Sequence, residues 1–291
     1  IMQLKKAYQK KTLDLTMSKV KFLPKVIEYD RYQPEFYEDT KTYVSKRTSN
    51  EKLRTGKKLF TNNSSLILNI ESEFDVDKEL LLSLMGIETN FGKYLGKMDI
   101  LSSLATLSYD KRRSEFFTKE LIIALKLIDI EKIKASELYG SWAGAFGNFQ
   151  FMPSTFQNNA IDFNNDDIID LKSTDDSFAS AANYLSKMGW DTHGKCFNKI
   201  LLDHNIPTKY LNYSARKIKH KKKLSFYKKY IKNFDDNLGN DDEIVAIITP
   251  DKEIVENANK LSPAYLVFDN YELILKWNRS LRFALAVCTL K

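Results

Sequence analysis

The stretch DVDKELLLSLMGIET, residues 75–89, constrains the fold more than any other. From Leu80 to Ile87 it is apolar on nearly every face, and a helix of that kind is stable only when other elements surround it. The chain must therefore build a core around this segment. Asp75 or Asp77 can cap its start, and acids in its first turn complement the helix dipole. At its far end stands one acid, Glu88, after which the chain bends through Gly92 and Gly96. A carboxyl at the end of a buried helix is desolvated, which favours its protonated form. A carboxyl that keeps its proton near neutral pH can donate it to a leaving oxygen. The plainer reading is a buried acid bonded to backbone or to a nearby tyrosine.

Helical spacing recurs along the chain. Residues 49–74 place Leu53, Phe60, Ile67 and Ile70 on one stripe, and SEFFTKELIIALKLIDI places Phe117, Leu121, Ala124, Leu125 and Ile128 on one face. GSWAGAFGNFQFMPSTFQNNA reads as a shaped loop entering a short helix, and DSFASAANYLSKMGW returns to helix. Beyond residue 195 the character changes. DDEIVAIITPDKEI and AYLVFDNYELILKW carry β-branched and aromatic runs suited to strands, and RSLRFALAVCTLK closes the chain as a helix. Six of the ten glycines fall between Gly86 and Gly147, which makes that segment the candidate cleft, because backbone can approach a ligand closely there.

Much else is excluded. The 291 residues suffice for one large domain or two smaller ones. No run approaches the eighteen apolar residues of a spanning helix. The start, IMQLKKAYQKKTLDLTM, lacks the apolar centre of a signal peptide, so the protein is either not exported or a mature chain without its leader. Cys196 and Cys288 are too few for a disulfide framework and leave a single bridge open. Three histidines without a His-Glu-x-x-His pattern argue against zinc, and no Gly-x-Ser-x-Gly elbow or Walker loop occurs. Lys and Arg exceed Asp and Glu by 45 − 38 = 7, a balance that suits acidic partners. Residues 216–232 hold nine Lys or Arg and no acid. They read as a solvated basic face, and no nucleic-acid motif accompanies them.

One loop suggests a metal. In DFNNDDIIDLKSTDD, Asp162, Asn164 and Asp166 alternate as in the first half of an EF-hand loop, and Ile168 would add its carbonyl. Ser173 stands where the closing Glu of a twelve-residue loop falls, and Asp167 stands where Gly is usual. The other reading is a solvated acidic loop in which Asp162 and Asp176 cap helices.

The segments GIETNFGKYLGKMDILSSLATLSYDKRRSEFF, GSWAGAFGNFQFMPSTFQNNAIDFNNDDIIDL and ANYLSKMGW together resemble the lytic murein transglycosylase B family. The resemblance extends from DRYQPEF to YELILKWNRSLRFALAV and so covers the chain from about residue 25. It implies a mainly α (α+β) fold with a goose-type, lysozyme-like catalytic core. It divides the chain into a helical region 1–75, a core 76–195, and a basic, strand-containing part 196–291 that completes the cleft. It implies cleavage of the β-1,4 bond between N-acetylmuramic acid and N-acetylglucosamine in peptidoglycan without water, leaving a 1,6-anhydromuramoyl end. Glu88 matches the family's sole catalytic acid. A muramidase-type hydrolase on the same scaffold and a non-catalytic peptidoglycan-binding protein are the alternatives.

The resemblance also names neighbours. Arg112 and Arg113 match an Arg pair suited to lactyl or peptide carboxylates, with a solvated pair at a helix start as the plain alternative. Ser141 matches a serine that orients the acid or the substrate, with a helix cap as the plain alternative. Gln150 and Phe151 match a groove-lining pair, with a place in the core as the equal alternative for Phe151, and Tyr184 matches a cleft tyrosine, with a core tyrosine as its plain alternative. Trp277 and Asn278 match a Tyr-Asn pair near the C-terminus. Asp176 falls at the closing acid of the family's longer calcium loop, which makes a structural Ca2+ with Asp162, Asn164, Asp166 and Ile168 the expected ion and leaves the chemistry without a cofactor. Asn148-Phe149 replaces the family's usual Tyr-Gly, and Phe283 stands where a hydroxylated aromatic is common. The expected setting is the periplasm, as a monomer acting on glycan strands and not on nucleic acid, with a lipid anchor ahead of residue 1 left open.

Overall fold

The apolar run forms helix α6 (Lys78–Thr89), with Leu80, Leu81, Leu84 and Met85 buried. The computed structural model describes residues 10–33, 37–252 and 254–291. It divides into two units, residues 1–33 with 58–186, and residues 34–57 with 187–291.

In the first unit the start of α6 is held in an unexpected way. Asp77 occupies the cap position without a side-chain bond to the helix, while Glu71 accepts the Lys78 N–H at 2.9 Å. Glu71 lies on α5 (Ser64–Phe74), which presents Ile67 and Ile70 to the core. The stripe expected over 49–74 is thus two helices, α4 (Asn50–Asn62) and α5, broken at Asn63; Leu53 is 40% exposed. Helices α7 (Ile100–Tyr109) and α8 (Ser114–Asp129) pack on each other, with α1 (Lys10–Thr16) and α9 (Pro153–Asn159) on α8 and α2 (Pro24–Arg31) on α7. Helix α10 (Thr174–Met188) buries Phe178, Ala179, Ala181, Ala182 and Leu185. A two-residue antiparallel ladder pairs β1 (Met98–Asp99) with β2 (Tyr139–Gly140).

The second unit is built on a mixed sheet. Strands β3 (Phe197–Ile200), β7 (Ala264–Val267), β6 (Ile244–Ile248) and β4 (Leu211–Asn212) lie in that order, and β5 (Lys222–Lys223) also pairs with β6. Among the described residues the β4–β6 pairing is parallel and the other pairings of this sheet are antiparallel. Ile200, Leu211, Val245, Ile247 and Leu266 form its core with Leu224 and Tyr227 of the short helix α11 (Leu224–Tyr227). The β-branched run IVAII makes the buried strand β6, as its composition predicts. AYLVFDNYELILKW, whose runs suit strands, forms β7 over its first part and then turns into helix α12 (Asp269–Trp277). Tyr271, Ile274 and Leu275 recur there at helical spacing and are buried, and acids at Asp269 and Glu272 suit a helix start. The last helix, α13 (Leu281–Leu290), carries Cys288, which is bonded to Cys196.

The described residues of the stretch 1–75 fall in both units. Residues 37–57 group with the C-terminal part because α3 (Thr40–Arg47) packs on α13 and Thr40 donates its N–H to buried Asp251 at 2.9 Å. Arg282 donates to the same carboxylate at 2.8 Å. Local spacing identifies these helices but says nothing of which distant partner each will meet.

Candidate active site

Glu88 sits on the last turn of α6, half-buried, ahead of three left-handed residues, Asn90, Phe91 and Gly92. Thr89 locks this turn. Its hydroxyl donates to the Asn148 carbonyl at 2.8 Å and accepts the Gly92 N–H at 3.0 Å, while its own carbonyl accepts the Tyr94 N–H at 2.8 Å. The end of α6 is therefore tied to the loop that follows β2.

That loop is a tight, self-satisfied structure. Phe146 and Phe151 exchange backbone hydrogen bonds of 3.0 and 2.9 Å across the turn. Gly147, at the bend, has φ +76°, and a Cβ there would lie 2.5 Å from the Leu171 side chain, so only glycine fits. Asn148 is buried; its N–H donates to the Leu171 carbonyl at 2.8 Å and its amide to the Lys172 carbonyl and the Ser177 hydroxyl, each at 3.0 Å. The residue that departs from the family's usual pattern is thus a clasp between the Glu88 turn and the start of α10. Phe149 turns inward, edge-on to Phe178 with ring centroids 5.2 Å apart.

The other expected residues fall as follows. Gln150 holds a left-handed backbone at φ +51°, and its amide donates to the Gly147 carbonyl at 3.0 Å and the Leu95 carbonyl at 3.2 Å. Phe151 is only 2% exposed, as its core alternative has it, and packs edge-on against Tyr184, centroids 6.0 Å apart. Tyr184 is half-buried, and that burial pushes its phenol above the usual tyrosine range. Ser141 is no helix cap: its hydroxyl accepts the Ala145 N–H at 3.0 Å and closes the turn after β2. Trp277 ends α12 and Asn278 is its C-cap, both in the second unit.

Arg112 and Arg113 meet a carboxylate within the protein. Both donate to Asp30, Arg112 through Nε at 2.6 Å, and the carboxylate is 1% exposed while each guanidinium stays partly exposed. Burial would raise the Asp30 carboxyl, but hydrogen bonds and charge from the two arginines outweigh it and hold it below the ordinary aspartate value. Asp30 escaped the sequence reading, since a lone Asp in an amphipathic helix carries no local signal. Glu120 escaped it for the same reason. Buried on α8, it accepts the Ser154 N–H at 2.9 Å and hydroxyl at 2.6 Å and so fixes the start of α9.

In the acidic loop, oxygens of Asp162, Asn164 and Asp166 accept N–H groups from Asp166, Asp167 and Ile168 at 2.8–3.2 Å, curling the backbone. Asp167 adopts φ +66°, the conformation that glycine supplies at the sixth position of an EF-hand. Asp176 is 1% exposed and accepts from the Phe163 and Asp170 N–H groups at 2.8 and 2.7 Å. Burial pushes its carboxyl up, those two bonds pull it down, and the charges of Asp162 and Asp166 push it up again; the net direction is upward. The donors are all hard oxygens with a suitable backbone curl, which fits calcium. Among the described residues no three Asp, Glu, His or Cys side chains converge as a metal-holding group.

The family described as Transglycosylase SLT domain matches residues 2–291. Membrane-bound lytic murein transglycosylase B of Escherichia coli (strain K12) is 41% identical over 118 residues, which are 40% of this chain and 33% of that protein. The chain thus aligns with about a third of that relative's length. The crystal structure of SltB3 from Pseudomonas aeruginosa in complex with NAG-anhNAM-pentapeptide matches with a TM-score of 0.83 at 30% identity, covering 99% of this chain and 75% of that one. The Escherichia coli lytic transglycosylase Slt35 in complex with calcium matches with a TM-score of 0.76 at 25% identity, covering 94% and 83%.

Proposed function

The chain belongs to the transglycosylase SLT domain family, and from that premise we propose that it is a lytic transglycosylase of peptidoglycan with Glu88 as its catalytic acid. The observation that carries this reading is the seat of Glu88: a half-buried carboxyl on the last turn of a buried helix, held by the Thr89–Asn148 bond against a rigid loop.

The acid form of Glu88 gives its proton to the oxygen of the β-1,4 bond between N-acetylmuramic acid and N-acetylglucosamine as C1–O breaks. The muramoyl acetamido group supports the charge left at C1. The Glu88 carboxylate then takes the proton of the muramoyl O6 hydroxyl while O6 bonds to C1. Glu88 regains its proton, water is not consumed, and one carboxyl does what a pair does in ordinary glycosidases. In this reading Tyr184 and Ser141 shape the surroundings of the acid, Gln150 fixes the loop, and Phe151 supports Tyr184 from behind. The free donors of Arg112 and Arg113 take substrate carboxylates while Asp30 holds the pair in place. Calcium bound by Asp162, Asn164, Asp166, Ile168 and Asp176 would neutralise the acidic loop and fix its shape; no step runs through it.

The same reading places the chain in the periplasm as a monomer. The Cys196–Cys288 bond suits an oxidising compartment, and among the described residues no helix is long and apolar enough to cross a membrane.

The test is to digest purified peptidoglycan with this protein and with Glu88→Gln and weigh the muropeptides. Anhydro ends, lighter by one water than reducing ends, made only by the parent protein support the reading. Reducing ends would make it a hydrolase, and undiminished activity in Glu88→Gln would remove Glu88 from the chemistry.

A further inference from the structure

The basic stretch 216–232 is a built surface. Asn212, buried on β4, donates through Nδ2 to the Lys219 carbonyl at 3.0 Å and accepts the Lys219 N–H at 2.7 Å, pinning the loop from both sides. Tyr227, fully buried, donates its hydroxyl to the His220 carbonyl, and Ile218 is buried beneath the loop. His220 adopts φ +56°, a conformation that non-glycine residues seldom take. The outward residues are Arg216, Lys217, Lys219, His220 and Lys222, all exposed.

Neutralisation is selective. Lys221 pairs with Glu272 and Asp269, Lys223 with Asp242 and Lys228 with Asp241. No ion pair among the described residues reaches Arg216, Lys217, Lys219, Lys222 or Lys229. A fixed loop that holds unpaired like charges together works against their repulsion, and an anionic partner relieves it.

Half-buried rings adjoin the charges. Tyr210 lies edge-on to His220 at 5.8 Å and to Phe226 at 5.3 Å, and Phe226 lies 6.2 Å from Tyr230. Lys209 sits over the Tyr210 ring at 5.1 Å, and Lys229 over Phe226 and Tyr230 at 5.4 and 5.1 Å. The loop thus meets the ring cluster through His220, and Lys209 and Lys229 add their charges to the same rings.

We propose that this face docks on an anionic membrane surface, its cations meeting lipid phosphates and its rings lying at headgroup level. Clustered Lys and Arg are drawn to anionic lipid, and amphipathic aromatic rings favour the headgroup zone. A fluid bilayer can bring a headgroup to each cation wherever it points. A stiff acidic glycan would have to match the spacing of the loop. Docking through this face does not depend on the reaction assigned to Glu88.

The experiment is co-sedimentation of the whole chain with vesicles of phosphatidylcholine alone and with about 30% phosphatidylglycerol, at low and high salt. Binding to the anionic vesicles only, lost at high salt and weakened about tenfold or more in Lys217→Ser/Lys219→Ser/Lys222→Ser, is expected. The matching Lys→Arg variant should bind like the parent. Equal binding by the Ser variant, or no binding to anionic vesicles, overturns the proposal. So does binding of insoluble peptidoglycan, in place of vesicles, through the same three lysines.

Discussion

Asp30 and Asp176 lie in the same unit, and each is 1% exposed, yet their carboxyls shift in opposite directions. Burial pushes both up. Asp30 faces two guanidiniums that reverse the push, whereas Asp176 faces two backbone N–H groups and the negative charges of Asp162 and Asp166, which do not. Desolvation sets the size of the problem and the partner sets its sign. One carboxylate is satisfied within the chain. The other is arranged as though a cation were to be added.

The largest expected effect breaks the first half of this contrast. Arg112→Ala/Arg113→Ala leaves Asp30 buried without a cation and should cost about 2–3 kcal/mol in urea unfolding, less than a fully buried pair because the guanidiniums are partly exposed. The Asp30 carboxyl should then rise, as Asp176 does, which an NMR titration reads directly. A loss below about 0.5 kcal/mol would mean that the pair is a surface feature and not an anchor for α2.

A smaller effect follows from the sign of the Asp30 shift. Its folded value lies below its unfolded one, so its contribution is present above the unfolded value and is lost as pH falls through the folded one. Stability should therefore drop on the acid side, below about pH 4, and Asp30→Asn should be less stable than the parent at pH 7 with a flatter acid limb. Parallel acid limbs in the two proteins would count against the linkage.

The smallest effect sharpens the other half. Calcium should raise the thermal midpoint by a few degrees, worth about 1–2 kcal/mol, a chelator should reverse it, and Asp162→Ala should abolish it. A midpoint that ignores calcium would leave the loop as a solvated acidic turn.

The parts legible in advance share a property. Helix α6, the Glu88 turn, the loop at Gly147, the strand β6 and the helix α13 are each encoded by neighbours within about a dozen residues, where period and glycine placement act directly. The curl of the acidic loop was legible too, since Asp and Asn bonding to nearby N–H groups is a local matter. Partner choice is what local pattern leaves open. Phe151 carries the same local signal whether it lines a groove or fills a core, and only its packing on Tyr184 decides. Arg112 and Arg113 read as ligands for a substrate carboxylate, and local spacing gives no sign that they also hold a carboxylate on a helix some eighty residues away in the chain.

The sequence by itself determined the helical character of the chain, the position of its one acid at the end of α6, and the chemistry available in its acidic and basic segments. Those follow from side-chain period and composition. Tertiary structure decided that Asp30 receives two arginines and Asp176 none, that α3 joins α13, that Cys196 meets Cys288, and that Asn148 clasps the Glu88 turn. Each is a long-range pairing whose energy depends on which groups are desolvated together, and local spacing carries no information about that.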